Sequence, residues 1–197
     1  TKNRDAEIIK KEVDAKQLFK KLAFNMWKNA APGIQNIDIA REYSNSDAVY
    51  DPIIPYDSRI ISSNACSEQY LSRDSCCILA SIFTGNFSAE EELYKKELSI
   101  IAPSINRFLD NVNTYEVFHN KCATSIQKNA IEFLRRTGAG CTDIAGWLFK
   151  NNLEYDSDEA IIRIENFVKE YNYQLYKSTI DLGKEKGNFK LFNATNI

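Results

Sequence analysis

The sequence predicts an α/β fold that is rich in helices, and three observations support this prediction. Apolar residues recur at three- and four-residue steps through most of the 197-residue chain, as in amphipathic helices. Residues 76–83 form a continuous apolar run without alternation, which predicts a strand buried on both faces. Helical segments follow this strand in succession, and a buried strand among helices favours part of an α/β protein over a plain helix bundle.

The elements before the apolar run are one helix and a loop-rich stretch. The apolar spacing predicts a helix over about residues 5–29, which ends at Ala31-Pro32-Gly33. Residues 34–57 contain Asn, Ser, Asp and two prolines, which predicts loops. Arg59-Ile60-Ile61 then predicts a short strand.

Helices dominate the chain after Gly85. Ser88 with Glu91 predicts a capping box and a helix to about residue 101, and Pro103 predicts the start of a new helix. Gly138-Ala139-Gly140 is expected to stop a helix over residues 125–136. Two further helices are predicted, over about residues 142–150 and from residue 156 or 157 to about residue 186. The aromatic residues at helical spacing are expected in the core: Trp27, Phe108, Phe133, Trp147, Phe167 and Tyr171. Cys122 and Cys141 are expected to be buried thiols.

Composition excludes several classes of protein. A formal net charge of -2 and scattered Lys and Arg argue against direct nucleic-acid binding. The sequence contains no run of about 18 apolar residues, so it predicts no membrane span. Five cysteines, an odd number with the adjacent pair Cys76-Cys77, are unlike a secreted disulfide framework. We therefore expect a reducing, cytoplasmic location. The chain begins at Thr1 and its single Met is Met26, so we expect a piece of a longer protein.

The candidate site lies in SNACSEQYLSRDSCCILASI, over residues 63–82, where Asn64, Cys66 and Glu68 occupy alternate positions. An extended segment would place these side chains on one side, and a tight loop could also bring them together. A shielded Glu68 could act as a general base beside the Cys66 thiol. Taken alone, however, the pattern is more typical of a small structural thiol between two polar residues. Zinc binding would need ligands such as Cys66, Cys76 and Cys77, but their spacing differs from the usual zinc knuckle. His119 is the single histidine in the sequence.

Several separated motifs resemble the large, catalytic subunit of ribonucleotide reductase, and they occur in that family's order. SNACSEQYL (63–71) and DSCCILASI (74–82) are similar to its finger loop and next barrel strand, where usual forms read NPCSE or NPCGE and CNLASLNL. Upstream, WKNAAPGIQ (27–35) resembles the family's W-x-x-G-x-P-G segment. Downstream motifs are FLDNV (108–112), RRTGAG (135–140), YDSDEA (155–160) and EKGNFKLF (185–192). The resemblance covers about residues 20–195.

This resemblance implies a fold and a set of roles. The family fold is a ten-stranded α/β barrel, of which residues 1–197 would be a single, helix-rich, partial domain with its finger loop at about residues 59–77. Cys66 would be the thiyl-radical cysteine that removes the ribose 3′-hydrogen, and Glu68 would deprotonate the 3′-hydroxyl. Asn64 would hydrogen-bond the sugar hydroxyls, and Cys77 would be one of two cysteines that supply reducing equivalents as a disulfide. Ser63 and Ala65 would complete the substrate contacts.

The sequence departs from the family pattern at a few positions. The doublet Cys76-Cys77 replaces a single Cys, and Cys77 is chosen because it aligns with the strand that follows it. Ile78 and Phe83 stand where Asn is usual, and Ala65 stands where Pro or Leu is common. These differences put the substrate contacts in doubt more than the chemistry.

The resemblance also implies partners and a cofactor. The substrate would be a ribonucleoside di- or triphosphate, the reductant a thioredoxin-type protein, and the assembly a homodimer or a complex with a radical-generating subunit. The eleven-residue step from Cys66 to Cys77 leans towards the adenosylcobalamin-dependent class; otherwise the radical comes from a separate metal-bearing subunit.

Two other interpretations stay open. A thiol redox or metal-binding module predicts bound zinc, or a Cys66–Cys77 disulfide with Cys66 exposed. A helical interaction domain without catalysis predicts a fully solvated Glu68. A radical enzyme predicts that Cys66 is shielded from solvent.

Overall fold

The computed structural model describes residues 11–45 and 56–192, and the chain divides into two units, Thr1–Asn36 and Ile37–Ile197. The described part of the first unit holds one helix, α1 (Ala15–Asn29). Asp14 caps it, because its carboxylate accepts the N–H groups of Lys16 and Gln17 at 2.9 and 3.1 Å. Residues 11–14 are not helical, so the predicted start was too early, and residues 5–10 lie outside the described ranges.

The apolar side chains of α1 lie on the surface of this unit. Trp27 is 81% exposed, so its predicted place in a core is wrong within this unit. An amphipathic helix buries its apolar face only against a second element. Among the described residues, α1 is the only helix or strand of the first unit.

The second unit combines two small sheets with five α-helices and one short 3-10 helix, Thr84–Asn86, among its described residues. In chain order its elements are α2 (Ile37–Glu42), β1 (Ser62–Ser63), β2 (Tyr70–Leu71), β3 (Ile78–Phe83), α3 (Glu91–Phe118), α4 (Ser125–Leu134), β4 (Thr137–Thr142), α5 (Ile144–Lys150) and α6 (Asp158–Lys186). β1 and β2 form an antiparallel hairpin, and β3 pairs in parallel with β4. α3 and α4 connect the two parallel strands, which makes a βαβ-type crossover.

The core lies where α3 and α6 pack together. A stripe along α3 is buried at steps of three and four residues: Tyr94, Leu98, Ala102, Asn106, Leu109 and Asn113. Ile82 from β3 and Phe87 join the cluster, together with Trp147, Phe167 and Tyr171, which confirms these last three as core residues. Phe133 is half-buried in a second cluster, whereas Phe108 is 63% exposed on α3, so its predicted burial is wrong. Cys122 and Cys141 are half-buried rather than buried.

One carboxylate connects the ends of two helices to the middle of α3. Asp110 of α3 accepts Arg135 Nε at 2.7 Å and lies 2.8 Å from Lys186 Nζ. Arg135 follows α4 in the left-handed conformation, and Lys186 is the last residue of α6. The Asp110 side chain is 19% exposed, so this network is partly shielded from water.

α3 differs from its predicted form at its start and at Pro103. It is one helix that contains Pro103, so the predicted break there is wrong. Pro removes one backbone donor, but Leu98 and Leu109 on either side are both fully buried, and this packing holds the helix together. The predicted capping box is also wrong: Ser88 Oγ accepts the Glu90 N–H, and the Ser88 N–H donates to the Glu97 carboxylate.

The sheets also differ from prediction. The first hairpin strand is Ser62–Ser63, not residues 59–61. β3 begins at Ile78, and its burial alternates, with Leu79 59% and Phe83 53% exposed, so the prediction of two buried faces is wrong. Among the described residues, helices cover one face of the β3–β4 pair. The predicted helix stop at residues 138–140 lies inside β4.

Candidate functional site

The hairpin of β1 and β2 presents the predicted finger loop as a closed turn. The Asn64 N–H donates to the Gln69 carbonyl at 3.1 Å, and the Gln69 N–H donates to Asn64 Oδ1 at 3.1 Å. Ser67 has a positive φ of 66°, and its N–H donates to the Asn64 carbonyl at 3.1 Å. The Asn64 carboxamide oxygen therefore stabilises the loop itself, and its Nδ2 is the atom suited to donate to a ligand hydroxyl.

Asn64, Cys66 and Glu68 lie together in this six-residue turn, but its tip is not shielded. Ala65, Cys66 and Glu68 are exposed, while Ser63 and Asn64 are half-buried. The expectation of a shielded Cys66 is therefore not met within this chain. The physical reason is that β1 and β2 are two residues long each, and the described residues form no closed barrel around the turn.

Cys77 lies just before β3, and its Sγ–H donates to the Ile78 carbonyl at 3.7 Å. Burial raises the pKa of its half-buried thiol, and the Gln69 side chain lowers that pKa in part. Arg136 also lowers it, whereas the charges of Cys76 and Glu68 raise it. The Cys77 sulfur therefore shares its electrostatic surroundings with the loop that carries Glu68.

Cys76 has different neighbours, although it is adjacent in sequence. Burial raises the pKa of its thiol, the Gln127 side chain lowers it in part, and the charges of Cys122 and Glu116 raise it. Gln127 belongs to the first turn of α4. The pKa of Cys77 is thus affected by Gln69 in the turn, and the pKa of Cys76 by Gln127 at the start of α4.

Gly138 of β4 leaves space for the side chains of Leu79 and Gln69. A Cβ at this position would lie 2.6 Å from Leu79 Cδ2, 3.2 Å from Gln69 Nε2 and 3.5 Å from Cys77 Sγ. A side chain here would displace Leu79 and press against Gln69, which lies next to the same glycine as Cys77. Sequence reasoning missed this role, although a glycine inside a strand often marks a close approach of other groups.

Gln69 and Arg136 were also missed. Arg136 precedes β4, and burial lowers its pKa, while Tyr56 and Cys77 raise it. A partly buried guanidinium near a thiol favours the thiolate, because it supplies the opposite charge. The sequence placed Arg136 within the motif RRTGAG (135–140) but gave it no role of its own.

The described residues carry no cluster of three or more His, Cys, Asp or Glu side chains placed to bind a metal ion. All five cysteines are free thiols in this structure, so Cys66 and Cys77 are not joined in a disulfide. Among the described helices, none combines the length and apolar character that crossing a membrane requires.

Comparison with known proteins gives a consistent family. The family model described as "Ribonucleotide reductase, barrel domain" matches residues 1–197. The chain is 27% identical to a ribonucleoside-diphosphate reductase subunit alpha of Buchnera aphidicola subsp. Acyrthosiphon pisum, over 98% of the chain and 25% of that protein. It is 26% identical to the subunit alpha of Enterobacteria phage T4, over 98% of the chain and 24% of that protein. It is also 31% identical to a vitamin B12-dependent ribonucleotide reductase of Streptomyces coelicolor, over 80% of the chain and 16% of that protein. The chain thus spans a quarter or less of the length of these relatives.

Proposed function

The chain belongs to the ribonucleotide reductase family, within the barrel domain, and from this premise we propose that it carries part of an active site that reduces ribonucleotides to deoxyribonucleotides. The observation that supports the proposal is that two predicted site segments, separate in sequence, meet at Gly138 of β4. A Cβ on this glycine would lie 3.2 Å from Nε2 of Gln69, in the turn that carries Cys66, and 3.5 Å from Cys77 Sγ. Chemistry that uses a loop cysteine, a carboxylate and a second thiol requires the loop and the second thiol to lie close together.

We propose the following roles for the loop residues. The Cys66 thiyl radical removes the 3′-hydrogen of the ribose, which leaves a carbon radical and a Cys66 thiol. Glu68 accepts the 3′-hydroxyl proton, and the 2′-hydroxyl leaves as water. Asn64 Nδ2 donates to a sugar hydroxyl, with Ser63 and Ala65 beside it. Exposure of the turn leaves its side chains accessible to a substrate.

Cys77 supplies reducing equivalents in this proposal. It acts with a second cysteine outside this chain: two thiols are oxidised to one disulfide, and their two electrons and two protons convert a ribonucleotide to a deoxyribonucleotide and water. Cys66 returns the hydrogen to the 3′-carbon and regains its radical. A thioredoxin-type dithiol then reduces the disulfide. Exchange proceeds through the thiolate, which Arg136 favours at Cys77, although burial disfavours it more and leaves the pKa of this thiol raised.

The names of the relatives bear on the radical source. Some are named subunit alpha of a ribonucleoside-diphosphate reductase, and others are named vitamin B12-dependent. Matches to vitamin B12-dependent reductases, including the Streptomyces coelicolor protein, support adenosylcobalamin as the radical source. Bound adenosylcobalamin would supply a radical that is passed to Cys66. The described residues present the exposed Cys66 thiol but no enclosed surface for a corrin ring beside it, so they do not by themselves fit this cofactor. The alternative is a radical from a separate metal-bearing subunit.

The finer architecture is also a proposal. We propose that residues 1–197 form one partial domain of a ten-stranded barrel in a cytoplasmic enzyme. Its substrate would be a ribonucleoside di- or triphosphate, and its assembly a homodimer or a complex of two kinds of subunit. A thiyl radical must be kept from water, and Cys66 is exposed here. We therefore expect no turnover from the 197-residue chain alone.

The test is substitution of Cys66 in the full-length polypeptide, with deoxyribonucleotide formation as the readout. Cys66→Ser is expected to abolish turnover, and Cys122→Ser, a matched change at a half-buried thiol outside the finger loop, to retain it. Assays with adenosylcobalamin and with a metal-bearing subunit separate the two radical sources. Turnover by Cys66→Ser would refute the proposal and favour a helical interaction domain or a thiol redox module.

A further inference from the structure

The hairpin that carries Cys66 is fixed at both of its ends by side-chain contacts to distant parts of the chain. On the entry side, Arg41 of α2 donates from Nε and Nη2 to the Ile60 carbonyl, at 2.9 and 2.6 Å. On the exit side, the Tyr56 hydroxyl lies 2.5 Å from Oγ of Ser72, the residue that follows β2. Both contacts therefore act at the base of the hairpin and leave its turn accessible.

The Tyr56–Ser72 pair is buried and belongs to the second core cluster. Tyr56 is 7% exposed, and Ser72 is 4% exposed. The Tyr56 ring stacks with Phe133 of α4, with ring centroids 6.4 Å apart and 22° between the planes. When Ser72 donates to Tyr56, the Tyr56 hydroxyl can donate to the Arg73 carbonyl at 3.3 Å. A fixed aromatic ring thus connects the end of the hairpin to α4.

Two other buried tyrosines differ from Tyr56 in this respect. Tyr94 and Tyr171 are 0 and 2% exposed, but in the part of the chain that the structure describes their hydroxyls have no hydrogen-bond partner. Their rings pack in the main core between α3 and α6. The hydroxyl of Tyr56 does have a partner, and that partner ends the finger-loop hairpin.

We propose that Tyr56 is a positioning residue that holds the finger-loop hairpin in place through Ser72. The inference rests on the proposed function only for the chemistry that Cys66 and Glu68 perform on this hairpin. β1 and β2 are two residues long each, so few ladder bonds fix its direction, and the hydroxyl pair adds a further fixed point. Without that pair, Arg41 would still hold the entry side, so the exit strand would move while the rest of the fold stays intact.

The test compares Tyr56→Phe with the matched control Tyr171→Phe in the full-length polypeptide. Both variants remove one buried hydroxyl and keep the ring, but only the first breaks a hydrogen bond. Hydrogen–deuterium exchange with mass spectrometry follows the hairpin amides, among them those of Ile61 and Asn64, which donate across the hairpin at 3.0 and 3.1 Å. Tyr56→Phe is expected to speed their exchange about tenfold and to leave the amides of α3 within about twofold. Tyr171→Phe is expected to leave the hairpin amides within about twofold.

Ser72→Ala provides the reciprocal change. Because the two hydroxyls form one pair, the double variant Tyr56→Phe/Ser72→Ala should exchange no faster than the faster of the two single variants. Unchanged hairpin exchange in Tyr56→Phe, or fully additive effects of the two changes, would overturn the proposal. Equal acceleration in the hairpin and in α3 would also overturn it, since Tyr56 would then serve only overall stability.

Turnover separates this inference from the proposed function. If the full-length polypeptide reduces ribonucleotides, Tyr56→Phe is expected to lower kcat about tenfold and to change KM less than about threefold, because the turn acts on the reacting atoms. Tyr171→Phe should keep both constants within about twofold. Unchanged kcat in Tyr56→Phe would overturn the positioning role. If the unsubstituted protein reduces no ribonucleotide while hairpin exchange still rises in Tyr56→Phe, the proposed function fails and the anchoring of the hairpin stands.

Discussion

Gly138→Ala should separate the stability of the fold from the geometry of the site. The new methyl group would lie 2.6 Å from Leu79 Cδ2, but Leu79 is 59% exposed and can change its rotamer at a cost of about 1 kcal/mol. Alanine also restricts the unfolded chain more than glycine does, which stabilises the fold by about 0.4–1 kcal/mol and offsets the cost of the Leu79 rotamer change. The free energy of unfolding should therefore change by less than about 1 kcal/mol. The remaining conflict is with Gln69 Nε2 at 3.2 Å, which must move by a few tenths of an ångström.

Gly140→Ala is the matched control, because it makes the same change two residues further along β4. Its Cβ would meet Ser81 Oγ at 3.4 Å, an ordinary contact. Urea unfolding should show similar stabilities for both variants. Alkylation of Cys77 should slow about threefold in Gly138→Ala alone, because the displaced Gln69 side chain is a group that lowers the pKa of Cys77. A loss of more than about 2 kcal/mol in Gly138→Ala, or equal Cys77 rates in both variants, would show that the reasoning is wrong.

Two further predictions concern stability. Burial opposes ionisation of Asp110, but the hydrogen bonds and charges of Lys186 and Arg135 outweigh it and lower the pKa of the carboxyl. This stabilisation is present above the ordinary carboxyl pKa and is lost as pH falls through the lowered value. Asp110→Asn should therefore cost about 2 kcal/mol of unfolding free energy near pH 7 and less near pH 3. Denaturant unfolding at both pH values measures this difference. Trp147→Phe removes the Nε1–H donation to the Ser88 carbonyl at 3.1 Å in the core and should cost about 1–2 kcal/mol in the same assay, whereas a neutral result would show that this bond adds nothing.

Local signals allowed much of the helical structure to be predicted. The start of α6 follows from Ser157, whose side chain accepts the Ala160 N–H at 3.2 Å, and α6 ends at the predicted Lys186. α5 also lies within the predicted range. These features depend on a few neighbouring residues, which a sequence pattern contains.

The remaining features depend on contacts between distant parts of the chain. β4 contains Gly138 and Gly140, which favour no strand locally, and its strand form comes from pairing with β3 some 59 positions earlier, as in Ile78 opposite Thr137. Pro103 would end a helix in isolation, and only the packing of α3 on both sides of it keeps the helix continuous. The site shows the same division: the motif predicts Cys66 and Glu68 as site residues, but the approach of Gln69 and Cys77 to Gly138 depends on how the hairpin and β3 pack beside β4.

The exposed face of the β3–β4 pair bears on how the site would work. Leu79 and Phe83 are four positions apart on β3, so their side chains lie on the same face of the sheet. Both side chains are more than half exposed. Cys77 lies two residues before Leu79 in the sequence, and the turn between β1 and β2 carries the exposed Cys66. Leu79 and Phe83 are apolar surface groups near Cys77, the proposed reductant, and a covering segment would bury them and exclude water from Cys66. In the proposed complete barrel we therefore expect shielding of Cys66 and activity to arise together.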